Sequence, residues 1–274
     1  MPRVAVHRVA GTVISADRTV IAFDRCGTGP GVVLVHGALT DRTHPTLAGV
    51  ADVLAQWFTV FNYDRRGRGD SSDNQPYSVE RELDDLAAVI AAAGGTALLF
   101  GGSSGAALVL EASARNPAIE KLAVWEPPYH VNEAAPRLPL DLAARLARLV
   151  EEGRRSDAVE LFMSAATQVP AHALQGMRSD PFWAATEALA HTLAYEAAVM
   201  GPGNVLPVER LAAITQPTLV LNGADSPAWM TDAGVAVAAA IPNAVRRVLA
   251  DQNHNVTPEA LGPELLEFFI AASR

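Results

Sequence analysis

The feature of this sequence that most restricts its fold is a regular alternation of short apolar runs with longer helical patterns. The runs are apolar nearly throughout, as is typical of strands that are buried on both faces of a parallel sheet. They are VVLVH at 32–36, FTVFNYD at 58–64, TALLF at 96–100, KLAVW at 121–125, PTLVLNG at 217–223 and AVRRVLA at 244–250. We therefore predict an α/β fold whose mostly parallel sheet is covered by helices on both faces.

Two more strands are predicted within residues 4–24, joined by a turn near SADRT, which brings the sheet to eight strands. Helices are predicted at 46–56, at 104–115, at 258–272, and between Ser78 as N-cap and Gly94 as stop signal. The alternation is interrupted between residues 127 and 207, where a proline-rich stretch is followed by helical patterns alone. This interval is predicted to be a helical insertion between two strands of the sheet.

Composition and charge favour a soluble protein and argue against a nucleic-acid partner. The chain of 274 residues carries a net charge of −9, which argues against nucleic-acid binding because phosphate contacts need a basic surface. We find no signal peptide, no membrane-spanning run and a single cysteine, Cys26, so we expect a cytoplasmic protein with no membrane partner. No metal-binding motif is found, and we expect no metal or other cofactor. The sequence does not distinguish a monomer from a homodimer.

A candidate nucleophile lies in the stretch LLFGGSSGAAL at 98–108. Gly101, Ser103 and Gly105 complete a Gly-x-Ser-x-Gly pattern after a predicted strand and before a predicted helix, where small neighbours let the chain turn sharply. Ser104 competes, because it also has small residues two positions away. Counting from the end of the strand favours Ser103 as nucleophile and leaves Ser104 at the start of the helix, with its N–H directed at the site.

A serine hydroxyl needs a general base and an acid that orients the base. His254 follows the last predicted strand and so lies at the same sheet edge as Ser103. Two acids follow strands at this edge: Asp225, after PTLVL, and Glu126, after KLAVW. We favour Asp225 and keep Glu126 as the alternative. A second backbone donor for an oxyanion is expected at Ala38, after Gly37 in VVLVHGALT.

Five motifs together resemble the α/β-hydrolase superfamily: LVHG at 34–37, YDRRGRGDS at 63–71, GGSSG at 101–105, PTLVLNGAD at 217–225 and NHNV at 253–256. The resemblance implies a core domain of residues 1–126 and 208–274 and a helical cap, or lid, domain of residues 127–207. It implies Ser103 as nucleophile, His254 as base, Ala38 and Ser104 as oxyanion donors, and a structural role for the loop 63–71.

The sequence departs from this family at the acid. Family members show Gly-x-x-Asp after the strand that corresponds to PTLVL, whereas here the carboxylate of Asp225 comes one residue early and Ser226 takes the usual place. Some relatives, such as haloalkane dehalogenases, take the acid from the end of the preceding strand, where this chain has Glu126. Gly102 also stands where many relatives have a larger residue, which would leave room beside the nucleophile.

The resemblance implies a serine hydrolase of esters, lactones or thioesters of a mostly apolar molecule. Met163, Phe182, Trp183, Tyr195 and Met200 of the cap are candidates for the pocket wall. Two alternatives remain open. One is a C–C bond hydrolase, perhydrolase or non-hydrolytic lyase or cyclase that uses the same triad. The other is a non-catalytic, ligand-binding protein of this fold, which the displaced acid keeps in consideration.

Overall fold

The computed structural model describes residues 6–116, 118–167 and 169–271, and it contains one sheet of eight strands in the order β1-β2-β4-β3-β5-β6-β7-β8. The strands are Arg8–Ile14 (β1), Val20–Cys26 (β2), Gly31–Val35 (β3), Thr59–Tyr63 (β4), Ala97–Gly102 (β5), Ile119–Trp125 (β6), Thr218–Gly223 (β7) and Ala244–Leu249 (β8). β2 pairs antiparallel with β1 and with β4, and the six strands from β3 to β8 are all parallel to one another. The predicted fold class is confirmed.

Eleven α-helices fall within the described residues. They are Pro45–Leu54 (α1), Val79–Ala92 (α2), Ser104–Ser113 (α3), Leu142–Glu151 (α4), Arg155–Thr167 (α5), Ala171–Met177 (α6), Pro181–Ala188 (α7), Leu193–Met200 (α8), Val208–Leu211 (α9), Ala228–Ala240 (α10) and Pro258–Ile270 (α11). The side chain of Ser78 caps α2 by accepting the N–H of Arg81, as predicted. None of the helices in this part of the chain is both long and apolar enough to cross a bilayer.

Residues of a strand alternate between the two faces of the sheet, and each face has its own core. Val33 and Leu99 pack with α2 and α3 in one hydrophobic cluster, whereas Val32 and Leu98 pack with α1 and α11 in the other. Burial on both sides explains why these strands are apolar throughout. Residues 4, 5 and 272, at the ends of predicted elements, lie outside the described residues.

The interval 127–207 holds helices α4 to α8 between β6 and β7, and we call it the cap segment. Its apolar side chains form a separate cluster that includes Leu146, Val159, Phe162 and Trp183. The division of the chain into two domains at residues 126/127 and 207/208 stays a prediction. Within the cap segment, a 3-10 turn at Ala190–Thr192 separates α7 from α8.

Candidate active site

Ser103 lies in the sharp turn between β5 and α3. Its backbone has φ 55° and ψ −126°, in the left-handed half of the map that residues with a side chain rarely adopt. Its small neighbours are required, since a Cβ on Gly101 would lie 2.5 Å from the carbonyl oxygen of Gly105, and a Cβ on Gly105 would lie 2.5 Å from that of His36. The Ser103 N–H donates to the Trp125 carbonyl of the neighbouring strand at 2.8 Å. The turn therefore presents the Ser103 side chain at the carboxyl edge of the sheet, as a nucleophile elbow does.

His254 and Glu126 meet at the same edge. Nδ1 of His254 lies 2.8 Å from Oε2 of Glu126, while Oε1 of Glu126 accepts the N–H of Gly223 at 2.8 Å. Glu126 follows β6 directly, and His254 lies in the loop between β8 and α11, where its carbonyl accepts Nε1–H of Trp125 at 3.0 Å. Because the carboxylate accepts the hydrogen bond from Nδ1–H, the lone pair on Nε2 of His254 is available to act as a base.

The favoured partner of His254, Asp225, is not the residue that the structure places beside it. Asp225 is exposed to solvent, and its N–H donates to the carbonyl of Gln252 at 2.9 Å. That bond and the Ala224 N–H bond to Leu249, also 2.9 Å, tie the turn after β7 to the loop after β8. Asp225 lies on the outside of this turn, and the alternative acid, Glu126, occupies the position beside the imidazole.

The Glu126 carboxyl is fully buried. Burial raises its pKa, but the hydrogen bonds from His254 and from the Gly223 N–H outweigh that effect and hold the pKa below its usual value. Glu126 is therefore ionised at neutral pH. A buried negative charge at this position can orient the imidazole and stabilise the imidazolium when His254 takes a proton.

Two backbone N–H groups in the cavity that contains Ser103 have no acceptor among the described residues. They are the N–H groups of Ala38 and Ser104, and both residues line this cavity. The loop that carries Ala38 turns at Leu39, which has φ 56°, and Thr40 Oγ1 donates to the Gly37 carbonyl at 3.0 Å. We refer to residues 36–40 as the oxyanion loop.

The cavity has a volume of about 370 Å³ and lies between the sheet edge and the cap segment. Ser103 and His254 line its floor, and its walls are mainly apolar. Three of the five residues predicted for the wall, Met163, Phe182 and Met200, do line the cavity. The other two lie elsewhere: Trp183 packs in the cap cluster, and the Tyr195 ring stacks on Tyr77 with 3.9 Å between centroids.

The ionisable residues among the described lining are His36, His44, Glu196 and His254. Complete burial lowers the pKa of His36 to about 3, and its Nε2 hydrogen-bonds Oδ1 of Asn62 at 2.6 Å. Burial also lowers the pKa of His44. Both of these histidines are therefore neutral at pH 7. Glu196 is paired with arginines behind the wall, so the lining presents no unpaired ionic charge to a ligand.

Three residues for which no catalytic role was predicted lie directly behind the oxyanion loop: Arg65, Arg68 and Glu196. The two arginines belong to the loop 63–71, to which the resemblance assigned only a structural role. Glu196 lies in α8, far along the chain, and no local pattern links it to Arg65. A basic cluster directly after a buried strand was the only sequence signal for this arrangement.

Known proteins with the same architecture are similar to this chain over most of its length. A family model described as the alpha/beta hydrolase family matches residues 32–263. The crystal structure of an alpha/beta hydrolase from Sphaerobacter thermophilus is 51% identical, covers 94% of this chain and 100% of its own, and has a TM-score of 0.88. A hydrolase from Pseudomonas aeruginosa is 24% identical over 96% of this chain and 98% of its own, with a TM-score of 0.75.

A curated relative, the uncharacterized hydrolase YraK of Bacillus subtilis, is 37% identical over 97 residues. This match covers 33% of this chain and 34% of the relative, so the two are aligned over only about a third of their lengths.

Proposed function

Because this chain belongs to the alpha/beta hydrolase family, we propose that it is a serine hydrolase that cleaves an ester, lactone or thioester through an acyl-enzyme. The observation that carries the proposal is the contact of 2.8 Å between His254 and the buried Glu126, because His254 lines one cavity with the strained Ser103. A nucleophile, a base and a buried acid on three neighbouring loops form a triad for acyl transfer. The resemblance in the elbow motif alone would not separate this function from a plain glycine-rich turn.

In the proposed reaction, Ser103 Oγ attacks the substrate carbonyl while Nε2 of His254 takes the hydroxyl proton. The negative charge on the carbonyl oxygen is stabilised by the N–H groups of Ala38 and Ser104. His254 then gives its proton to the leaving alcohol, thiol or ring oxygen as the acyl-enzyme forms. In the second half, His254 takes a proton from water, the hydroxide attacks the acyl carbon, and the returned proton releases Ser103.

The proposed substrate is a mostly apolar, uncharged molecule. The walls formed by Leu142, Phe162 and Met163 favour an apolar acyl or alcohol group. Among the described lining residues there is no lysine or arginine that would compensate a substrate carboxylate or phosphate. The cap segment is proposed to close the cavity, with Phe182, half exposed, at its mouth.

Hydrolysis of p-nitrophenyl esters with acyl chains from acetate to dodecanoate tests this proposal and reports the size of the acyl site. We expect hydrolysis with an optimum at short or medium chains, lost in Ser103→Ala. Ser104→Ala is the matched variant, because it removes a neighbouring hydroxyl but keeps the backbone N–H and the proposed nucleophile. If Ser104→Ala loses acyl-enzyme formation and Ser103→Ala retains it, the nucleophile is Ser104 and not Ser103. No turnover of any ester or thioester by folded protein would contradict the proposal.

A further inference from the structure

Two arginines and two glutamates form a buried ion cluster behind the oxyanion loop: Arg65, Arg68, Glu82 and Glu196, each 2% exposed or less. Arg65 binds Glu82 through Nε at 2.6 Å and Nη2 at 2.8 Å, and it binds Glu196 Oε2 through Nη1 at 2.9 Å. Arg68 Nη2 also donates to Glu196. The cluster contains two positive and two negative side chains, so its charges balance.

The cluster is bonded to the backbone of the oxyanion loop. Nη1 of Arg68 donates to the carbonyls of Gly37 and, at 3.1 Å, of Thr40. Nη1 of Arg65 donates to the His36 carbonyl at 3.1 Å. Three of the loop's five carbonyl groups are thus held by two guanidinium groups that are themselves fixed by carboxylates.

The bond to Gly37 has a direct consequence for the oxyanion donor. The carbonyl of Gly37 and the N–H of Ala38 belong to one peptide unit, and in a planar trans peptide they point in opposite directions. A guanidinium that holds the Gly37 carbonyl on one side of this peptide therefore keeps the N–H of Ala38, which lines the cavity, on the opposite side. Gly37 tolerates a wide range of backbone angles, so the orientation of this peptide has to be fixed from outside.

Glu196 brings the cap segment into the same arrangement. It lies in α8, and its carboxylate is shared by Arg65 and Arg68, whose like charges would otherwise face each other in a dry interior. Ala38 and Leu39 of the oxyanion loop also pack against the hydrophobic cluster of the cap segment. The position of α8 and the geometry of the oxyanion loop are therefore coupled through both ionic and apolar contacts.

We propose that Arg68 and Glu196 are positioning residues that hold the Ala38 N–H in donor geometry, so that acyl transfer depends on the docked cap segment. This inference rests on the proposed serine-hydrolase function. Neither residue is proposed to exchange protons or form bonds with the substrate. Their contribution lies in fixing a donor before the oxyanion develops, which is the condition under which such donors are effective.

A matched control lies in the same loop. Arg66 forms a buried ion pair with Asp85 through two bonds of 2.7 Å, but its other bonds go to Asp17 and to the carbonyl of Arg81, away from the oxyanion loop. Arg66→Lys therefore disturbs a buried pair of similar kind without touching Gly37. Arg68→Lys keeps the charge and loses the planar fork, which binds the two carbonyls through Nη1 and Glu196 through Nη2.

The experiment combines hydrogen–deuterium exchange of a peptide covering residues 36–40 with steady-state hydrolysis of a p-nitrophenyl ester. The kcat is expressed per active site, which is titrated with a fluorophosphonate. We expect Arg68→Lys and Glu196→Gln to speed exchange in this loop and to lower kcat about tenfold to hundredfold, with KM changed less than about threefold. The loss is smaller than the roughly 10²- to 10³-fold seen when a donor is removed outright, because the Thr40 hydroxyl still holds Gly37.

Arg66→Lys should change neither loop exchange nor kcat by more than about twofold.

A double variant separates positioning from stability. Arg68→Met with Glu196→Leu removes one charge of each sign, and buried ion pairs replaced by apolar residues often keep or gain stability. We expect this protein to unfold at a temperature close to that of the wild type and yet to keep the low kcat. Full activity in the double variant would overturn the inference.

Unchanged exchange of the oxyanion loop in Arg68→Lys would also overturn it, whether or not the protein hydrolyses esters. A loosened loop with unchanged kcat would show that the contact is structural only. If the wild type has no turnover and does not react with the fluorophosphonate, the proposed function fails, and the exchange result still decides whether Arg68 positions the loop.

Discussion

The carboxylate of Glu126 and the imidazole of His254, 128 residues apart in the sequence, lie 2.8 Å from each other between Oε2 and Nδ1. The fold produces this pair because β6 pairs with β5, so the residue after β6 lies beside the elbow that carries Ser103. Asp225, after the next strand, remains in solvent. The acid of the proposed triad thus follows β6, the strand next to β5, and not β7, which lies one strand further from the nucleophile.

The first prediction concerns this acid. Glu126→Gln should lower kcat by about 10³- to 10⁴-fold, because an amide cannot hold the imidazole in the required tautomer or stabilise its cation. Asp225→Asn is the control, and its kcat should stay within about threefold of the wild type. Ester hydrolysis by the two purified variants measures both effects. The opposite ranking of the two variants would restore Asp225 as the acid.

The lowered pKa of Glu126 predicts how stability depends on pH. A folded-state pKa below the usual value of 4.5 means that ionised Glu126 stabilises the fold, fully above that value and progressively less as pH falls through the lowered pKa. In Glu126→Gln this dependence is absent. Urea unfolding at several pH values between about 5 and 3 should show the wild type losing stability relative to the variant. A parallel decline of both proteins would contradict the assigned shift.

The glycines of the elbow should differ sharply in their tolerance of a methyl group. A Cβ on Gly102 would meet only the ring of Phe100, at 4.0 Å, whereas a Cβ on Gly105 would meet the His36 carbonyl oxygen at 2.5 Å. We expect Gly102→Ala to change the free energy of unfolding by less than about 0.5 kcal/mol and Gly105→Ala to lower it by more than about 2 kcal/mol. Urea titrations of both variants measure this difference.

Gly102 also lines the cavity next to Ser103. Gly102→Ala should therefore reduce kcat/KM for esters with branched acyl groups more than for acetate. Equal losses for all acyl groups would show that this position does not border the acyl site.

The sequence was sufficient to predict the sheet, because burial on both faces leaves a continuous apolar run in most of the parallel strands. It was also sufficient to predict that four residues lie at one edge of the sheet, because loops after parallel strands share that edge. These residues are Ser103, His254, Ala38 and Ser104. Helix α10, Ala228–Ala240, was missed because its sequence is apolar on nearly all sides and lacks a polar face to mark its period.

The choice between Asp225 and Glu126 could not be made from the sequence. Both acids follow neighbouring strands, and the difference depends on which side of a tight turn each carboxylate emerges. Glu126 has φ 44°, an unusual conformation that no pattern in AVWEPPY announces. The ion cluster was equally hidden, since Arg65 and Glu196 meet only through the packing of the cap segment on the core.

The most direct test of the account is the reaction of the wild-type protein with a fluorophosphonate, followed by intact-mass measurement and peptide mapping. We predict one phosphonyl group per chain, attached to Ser103, with labelling abolished in Ser103→Ala and strongly slowed in His254→Ala. Absence of labelling in folded wild-type protein, or labelling at a residue other than Ser103, would contradict the proposed active site.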